Sequence, residues 1–204
     1  MSRYTGPRVK ILRALGVDLP GLTAKSMQDR PQPPGQHGAQ KNSGRKSEFG
    51  LQLMEKQKLR FNYGLTETQL RRVVADAKKD RGATGDKLVE LLERRLDNLV
   101  FRAGFAPTIP AARQLVSHGK FQLNGKRVTI PSFRVSPLDI VDVAPKSLNL
   151  TPFIIARETW GEREVPGWLT VKPNRMRILV HQLPTREQIT IDVNEQAVVE
   201  LYSK

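Results

Sequence analysis

The sequence predicts an α+β fold preceded by a basic tail. Three observations carry this. Apolar residues recur at helical spacing from about residue 48 to residue 118. Short β-type runs follow from residue 121, the first two joined by Asn124-Gly125, a two-residue hairpin signal. The first 47 residues contain Pro31-Gln32-Pro33-Pro34-Gly35-Gln36-His37-Gly38, which neither a helix nor an inner strand accommodates.

Within the tail, Arg8-Val9-Lys10-Ile11-Leu12-Arg13-Ala14-Leu15 predicts one short helix stopped by Gly16. The remainder carries too little apolar surface to offset the entropy of ordering it. Two outcomes are open: a loose tail, or a tail that orders on a partner. The charges, almost all of one sign, favour the second.

A helix is expected from near Glu48, with Phe49, Leu53, Met54, Leu59 and Phe61 among Lys56, Lys58 and Arg60, ending at Gly64. Thr66-Glu67-Thr68-Gln69 is a capping-box signature that starts the next helix. Leu70, Val73, Val74 and Ala77 form its apolar stripe, and Gly82 stops it. A third helix is predicted from Thr84 or Asp86 to about Ala103, on the spacing of Leu88, Leu91, Leu92, Leu96 and Leu99. At 100° per residue, Glu90, Glu93 and Asp97 share one face of it. Arg94, Asn98 and Arg102 fall at i, i+4 and i+8 on another, with Arg95 bordering the apolar side. That stripe is either a solvated face or a phosphate-facing one, and the segregation of sign favours the latter.

Thr108 caps a fourth helix with Pro110 in its first turn. Ala112, Leu115 and Val116 point inward. Arg113, Gln114, Ser117 and His118 are left over, and Gly119 is the stop. His118 either satisfies the terminal carbonyls or meets a phosphate or base edge. Lys126 and Arg127 stand beside the hairpin turn. Further strands are expected at 139–143, 168–171 and 177–180, a helix from Thr151 through Trp160, and a final helix, Glu195 to Tyr202, capped by Asn194. Trp160 and Trp168 read as packing residues.

Composition narrows the function. The chain has 204 residues, a formal net charge of +14 and a pI near 10.4. Residues 1–64 hold twelve Lys/Arg against four Asp/Glu; the rest hold twenty-two against sixteen. Such a balance suits a protein that neutralises phosphates, because each contact releases condensed counterions. There is no cysteine. The N-terminus lacks an apolar signal region and no 18-residue apolar run exists, so neither export nor a membrane span is expected. His37, His118 and His181 are isolated, without ligand spacing around them. No phosphate-loop or nucleophile-elbow pattern occurs, and Asp139 and Asp142 would point to opposite faces of a strand. No enzyme activity, metal or cofactor is expected.

The segment Arg95-Leu96-Asp97-Asn98-Leu99-Val100-Phe101-Arg102, with Ala112-Arg113-Gln114-Leu115-Val116-Ser117-His118-Gly119 and Asn124-Gly125-Lys126-Arg127-Val128, resembles a small RNA-binding module shared by several protein families. Arg3-Tyr4-Thr5-Gly6-Pro7, Pro33 to Gly38, Glu55 to Arg60, Tyr63-Gly64 and Asn194 to Ser203 are similar to one of them, the small-subunit ribosomal protein S4 family. This similarity runs end to end.

The resemblance implies a basic N-terminal extension (1–47), a helical domain (48–93, completed by 186–204) and an inserted α/β RNA-binding module (94–185) of two helices and a short, mostly antiparallel sheet. It implies a cytoplasmic, ribosome-bound protein. Such a protein is a primary binder of small-subunit rRNA that nucleates assembly of the subunit body. It contacts ribosomal protein S5, lies near the channel by which mRNA enters, and influences decoding accuracy. Relatives with four cysteines in the extension bind zinc; here Val9 and Leu12 occupy the first two of those positions. The extension is then expected to be ordered by RNA and neighbouring proteins.

The candidate rRNA-binding residues are Arg3, Arg8, Lys10 and Arg13 in the extension, and Lys56, Lys58, Arg60, Arg71 and Arg72 in the helical domain. In the module they are Arg94, Arg95, Asn98, Arg102, Arg113, Gln114, Ser117, His118, Lys120, Asn124, Lys126 and Arg127. Lys41, Arg45 and Lys46 are the mRNA-proximal candidates. The two sets of cations would grip a junction RNA from two surfaces. Two rivals are a DNA-binding regulator that uses the helix pair as a helix-turn-helix, and an RNA-modifying enzyme that carries the module.

Overall fold

The computed structural model describes residues 4–38, 47–161 and 164–203. They divide into two compact units, residues 1–88 with 192–204, and residues 89–191. The sequence reading put the edges of the inserted module at 93/94 and 185/186.

In the first unit, α1 (Arg8–Leu15) ends at Gly16, whose φ of 71° closes the helix with an N–H bond to the Leu12 carbonyl. Ile11 and Leu12 pack with Leu19 and Leu22, and Leu15, Val17, Met27 and Phe61 close around them. Polar ties reinforce the cluster. Arg8 donates to the Leu22 carbonyl, Arg13 donates to the Gln32 carbonyl at 2.8 Å, and the Gly21 N–H meets the Asn62 amide oxygen at 3.1 Å. The expectation of a loose or partner-ordered extension is therefore corrected for residues 4–38. Its apolar side chains are few, but they converge on one another and on Phe61. Leu12 is fully buried there.

The helix α2 (Glu48–Asn62) is capped by Ser47, whose hydroxyl accepts from the Gly50 N–H. Its buried residues are Gln52, Lys56, Leu59 and Asn62. Of the apolar residues noted in this helix, Leu59 is fully buried, Leu53, Met54 and Phe61 are half-buried, and Phe49 is 59% exposed. Gln52 donates to Glu200 on the terminal helix α8 (Glu195–Leu201), and the Asn194 N–H meets Glu55 at 2.9 Å. A polar seam joins these helices, which the apolar periodicity could not reveal. In α3 (Glu67–Ala77) both halves of the Thr66/Gln69 capping box form, and Leu70, Val73, Val74 and Ala77 are buried as expected.

The third helix breaks in two. The helix α4 (Thr84–Glu93) stops at Arg94, and α5 (Leu96–Arg102) restarts with Arg95 in an extended conformation at its N-cap. The cause is tertiary. The Leu96 N–H donates to the Phe133 carbonyl, Asp97 N–H to Pro131, and Val135 N–H to the Arg94 carbonyl. Backbone partners from residues 131–135 thus replace the helical ones across the break.

The second unit continues with α6 (Ile109–Ser117), capped by Thr108 with Pro110 in its first turn. Strands β1 (Phe121–Leu123) and β2 (Lys126–Val128) form the hairpin; Asn124 and Gly125 take φ of 48° and 79°, the left-handed pair a tight hairpin turn requires. With β3 (Ile140–Val143), β4 (Leu169–Lys172) and β5 (Arg177–Val180) they build an antiparallel sheet ordered β2-β1-β3-β5-β4. Phe121, Val141, Val143, Ile178 and Val180 lie on its buried face. The helix α7 (Thr151–Glu158) sets Phe153 edge-on to Phe121, with ring centres 5.6 Å apart. Trp168 is fully buried, as a packing residue should be.

Candidate nucleic-acid interface

The break at Arg94-Arg95 decides what the predicted arginine stripe becomes. Asp97 is fully buried, and Arg95 reaches it with both Nε (3.1 Å) and Nη2 (2.9 Å). Arg113 comes from α6 and donates Nε and Nη2 to the same carboxylate. Glu93, 1% exposed, accepts from Arg102 Nη2 at 2.7 Å and from the Asn98 amide at 2.7 Å. Arg94 pairs with Glu90 at 3.2 Å and donates to the Val135 carbonyl. Asn98 itself is buried.

The expected outward stripe of Arg94, Arg95, Asn98 and Arg102, and Arg113 beside it, is thus corrected to an internal charge network. One continuous helix would segregate the signs. The break shifts the phase, so Glu93 and Asp97 fold back onto the arginines. Buried ionised groups need such partners, because an unmatched one costs several kcal/mol. The sequence reading gave Glu93 and Asp97 a face of their own on one continuous helix, apart from the arginines, and so missed that these acids anchor the network. The Arg-Arg pair beside a Leu-Asp step, in a helix otherwise rich in leucine, is the signal that was present.

The candidates on α2 also turn inward. Lys56 is buried and bonds Glu67 at 2.9 Å, and Lys58 bonds Glu55 at 2.7 Å. Arg60 donates to Gln57 and the Leu65 carbonyl, and its guanidinium lies over the Phe61 ring. The Tyr202 hydroxyl completes this group by donating to Glu67 at 2.6 Å. Burial pushes the Tyr202 hydroxyl well above its usual range, and the bond to Glu67 adds to the shift. For Glu67 burial works upward too, but the Tyr202 and Lys56 bonds outweigh it and hold the carboxyl below its usual value.

A different set does face outward. Gln114, Ser117 and His118 are exposed at the end of α6, Lys120 is half-buried, and Lys126 and Arg127 are exposed on β2. Among the described residues, Lys120, Lys126 and Arg127 make no ion pair. Gly119, at φ +65°, lies under the Arg127 guanidinium so closely that an added Cβ would sit 2.2 Å from Nε. The absence of a side chain at Gly119 therefore lets the Arg127 guanidinium of the hairpin pack against the backbone that ends α6. Asn124 is exposed, yet it serves the turn: its side chain accepts from the Ile140 N–H and donates to Asp139. In the first unit Arg71, Arg72 and Lys10 are exposed, while Arg8 and Arg13 are exposed or half-exposed but tied to backbone carbonyls. Arg3, Lys41, Arg45 and Lys46 lie outside the described residues.

Residues 3–93 match the family described as "Ribosomal protein S4/S9 N-terminal domain", and residues 94–141 match the "S4 domain". Across the full chain the sequence is 59% identical to the "Small ribosomal subunit protein uS4" of Cutibacterium acnes. It is 57% identical to the proteins of that name from Nocardioides sp. and Mycolicibacterium smegmatis. In each case 204 residues align, 100% of both chains. The chain belongs to the uS4 family.

In this uS4-family chain the S4-domain match begins at Arg94, the first residue after α4. That match spans the internal network, α6 and the hairpin. The network ties α5 to α6, and the exposed or half-buried cations that remain follow α6 in the chain: Lys120 just before β1, and Lys126 and Arg127 on β2, where alternation sends them to opposite faces of the sheet. Chemically, this set offers point charge from Lys120 and Lys126, a planar fork from Arg127, and neutral donors from Gln114 and Ser117. That set suits phosphates and sugar hydroxyls.

Proposed function

We propose that this protein is a structural rRNA-binding component of the small ribosomal subunit, a primary binder that nucleates assembly of the subunit body. Its mechanism is binding rather than turnover. Structured RNA is read through shape, phosphates and 2′-hydroxyls more than through base edges. The observation that carries the reading is the division of the cations. Arg94, Arg95, Arg102 and Arg113 are matched to buried or half-buried acids, while Lys120, Lys126 and Arg127, half-buried or exposed around the hairpin, make no ion pair among the described residues. The module's RNA contacts are therefore Gln114, Ser117, His118, Lys120, Lys126 and Arg127. Arg71, Arg72 and Lys10 supply contacts from the other unit.

The resemblance supports three finer assignments. The protein works bound to cytoplasmic ribosomes, with ribosomal protein S5 as a protein neighbour. Lys41, Arg45 and Lys46 lie close to mRNA where it enters. Through these neighbours it contributes to decoding accuracy. Filter binding of a junction fragment of small-subunit rRNA across salt concentrations tests the central reading. A slope equivalent to about four or more released counterions is expected, and a smaller one overturns it. Duplex DNA that competes as well as the folded RNA would favour a DNA-binding regulator instead.

A further inference from the structure

Strand alternation gives the five-stranded sheet two unlike faces. Phe121, Val141 and Ile178 are on the core side and fully buried. The opposite side holds no buried side chain on any of its strand positions. On that open side the ladder register draws a single line. Arg127 on β2 is opposite Gln122 on β1, which is opposite Asp142 on β3; Asp142 is opposite Arg177 on β5, and Arg177 is opposite Lys172 on β4. The line crosses every strand, and at about 4.8 Å per strand it is about 19 Å long.

Its charge is one-sided. Asp142, the sole acid in the line, is held by both arms of Arg177, Nε to Oδ1 at 2.6 Å and Nη2 to Oδ2 at 3.0 Å. Arg127 and Lys172, one at each end, are exposed and make no ion pair among the described residues. Lys120 extends the same face, since the ladder continues one step with the Ala144 N–H bonded to the Lys120 carbonyl at 2.8 Å. Cations on edge strands commonly prevent sheets from pairing edge to edge. That accounts for charges on β2 and β4. It does not account for Arg177, an inner-strand residue whose fork neutralises the one acid that would repel an anion.

We propose that this open face is a second RNA surface, continuous with the hairpin corner, on which a stretch of sugar–phosphate backbone lies across the strands from Arg127 to Lys172. The proposal rests on the rRNA-binding reading above.

The test uses the full-length chain and a complete small-subunit rRNA transcript, with affinity measured across salt. Lys172→Gln, at the far end of the line from the hairpin, should weaken binding at least about threefold and flatten the log–log salt slope by about 0.7–0.9, the share of one phosphate contact. Lys146→Gln, which removes an exposed charge in the turn after β3, should change neither. If Lys172→Gln matches Lys146→Gln while Arg127→Gln still weakens binding, the second surface is wrong and the hairpin site stands. If the unaltered protein fails to bind, the rRNA-binding reading itself falls. A benzophenone side chain at position 172, irradiated in reconstituted subunits, should mark rRNA. Marking of protein alone would overturn the proposal in favour of a protein neighbour.

Discussion

Arg113 on α6 donates two hydrogen bonds, at 2.9 and 2.7 Å, to a single carboxylate oxygen of Asp97 on α5. Arg95 takes both oxygens from the other side, so one buried acid is clasped by two guanidinium groups. This pairing ties together two helices that lie within the S4-domain match and that also bury apolar side chains such as Leu99, Val100, Ala112 and Val116. Charge-assisted bonds of this kind have strict geometry, and removing one partner leaves the others buried and unmatched.

Asp97→Asn should therefore destabilise the second unit by about 3–5 kcal/mol, the usual cost of breaking a buried pair. Urea unfolding followed by near-ultraviolet circular dichroism reads it. Arg113→Lys should recover little, because an ammonium cannot reproduce the fork. A loss under about 1 kcal/mol for Asp97→Asn would mean that the network is decorative.

Salt dependence separates positioning from contact. Arg113→Gln should lower rRNA affinity with an unchanged log–log salt slope, because its charge is committed to Asp97. Lys126→Gln should lower affinity and reduce the slope by about 0.7–0.9. Equal slope changes in the two variants would return Arg113 to the phosphate-contacting set.

The extension should depend on its own small core. Leu12→Ala removes the fully buried centre of the cluster. A loss of about 2–5 kcal/mol is typical for such a truncation. It should appear as faster amide hydrogen exchange in residues 8–38, with α3 unaffected. Unchanged exchange there would show that the cluster does not hold the extension.

Acid should weaken the Glu67–Tyr202 bond. The folded-state pKa of Glu67 is lowered, so its contribution is present above the ordinary carboxylate value of about 4.3 and is lost as pH falls through the lower native value. For Tyr202 the folded-state pKa is raised, so its contribution is present below about 10 and fades in alkali. The stability gap between the natural protein and Tyr202→Phe should be flat near neutrality and close as the pH falls below about 4. A gap independent of pH from 2 to 8 would remove the carboxylate from the account.

Much of the local structure was legible in the chain. Thr66, Thr108 and Asn194 each cap the helix that follows, because a short side-chain oxygen meets N–H groups that have no helical partner. Asn124-Gly125 makes the hairpin for an equally local reason. The candidate site was legible in part: the structure leaves Gln114, Ser117, His118, Lys126 and Arg127 exposed and Lys120 half-buried, and their role as RNA contacts is the proposal made above. Arg95, Asn98, Arg102 and Arg113 turn inward because a helical wheel cannot see acids returned by a break, and Lys56 turns inward because its partner, Glu67, lies on another helix.

By itself the sequence determined most of the elements, the caps at Thr66, Thr108 and Asn194, the excess of positive charge and the family to which the chain belongs. Those follow from interactions within a few residues and from composition. Only the tertiary structure decided which cations are free to meet RNA. The backbone of residues 131–135 offered Arg94, Leu96 and Asp97 better partners than the helix did. Once that break was made, burial of Glu93 and Asp97 required guanidinium groups at their oxygens, and the surface kept the rest.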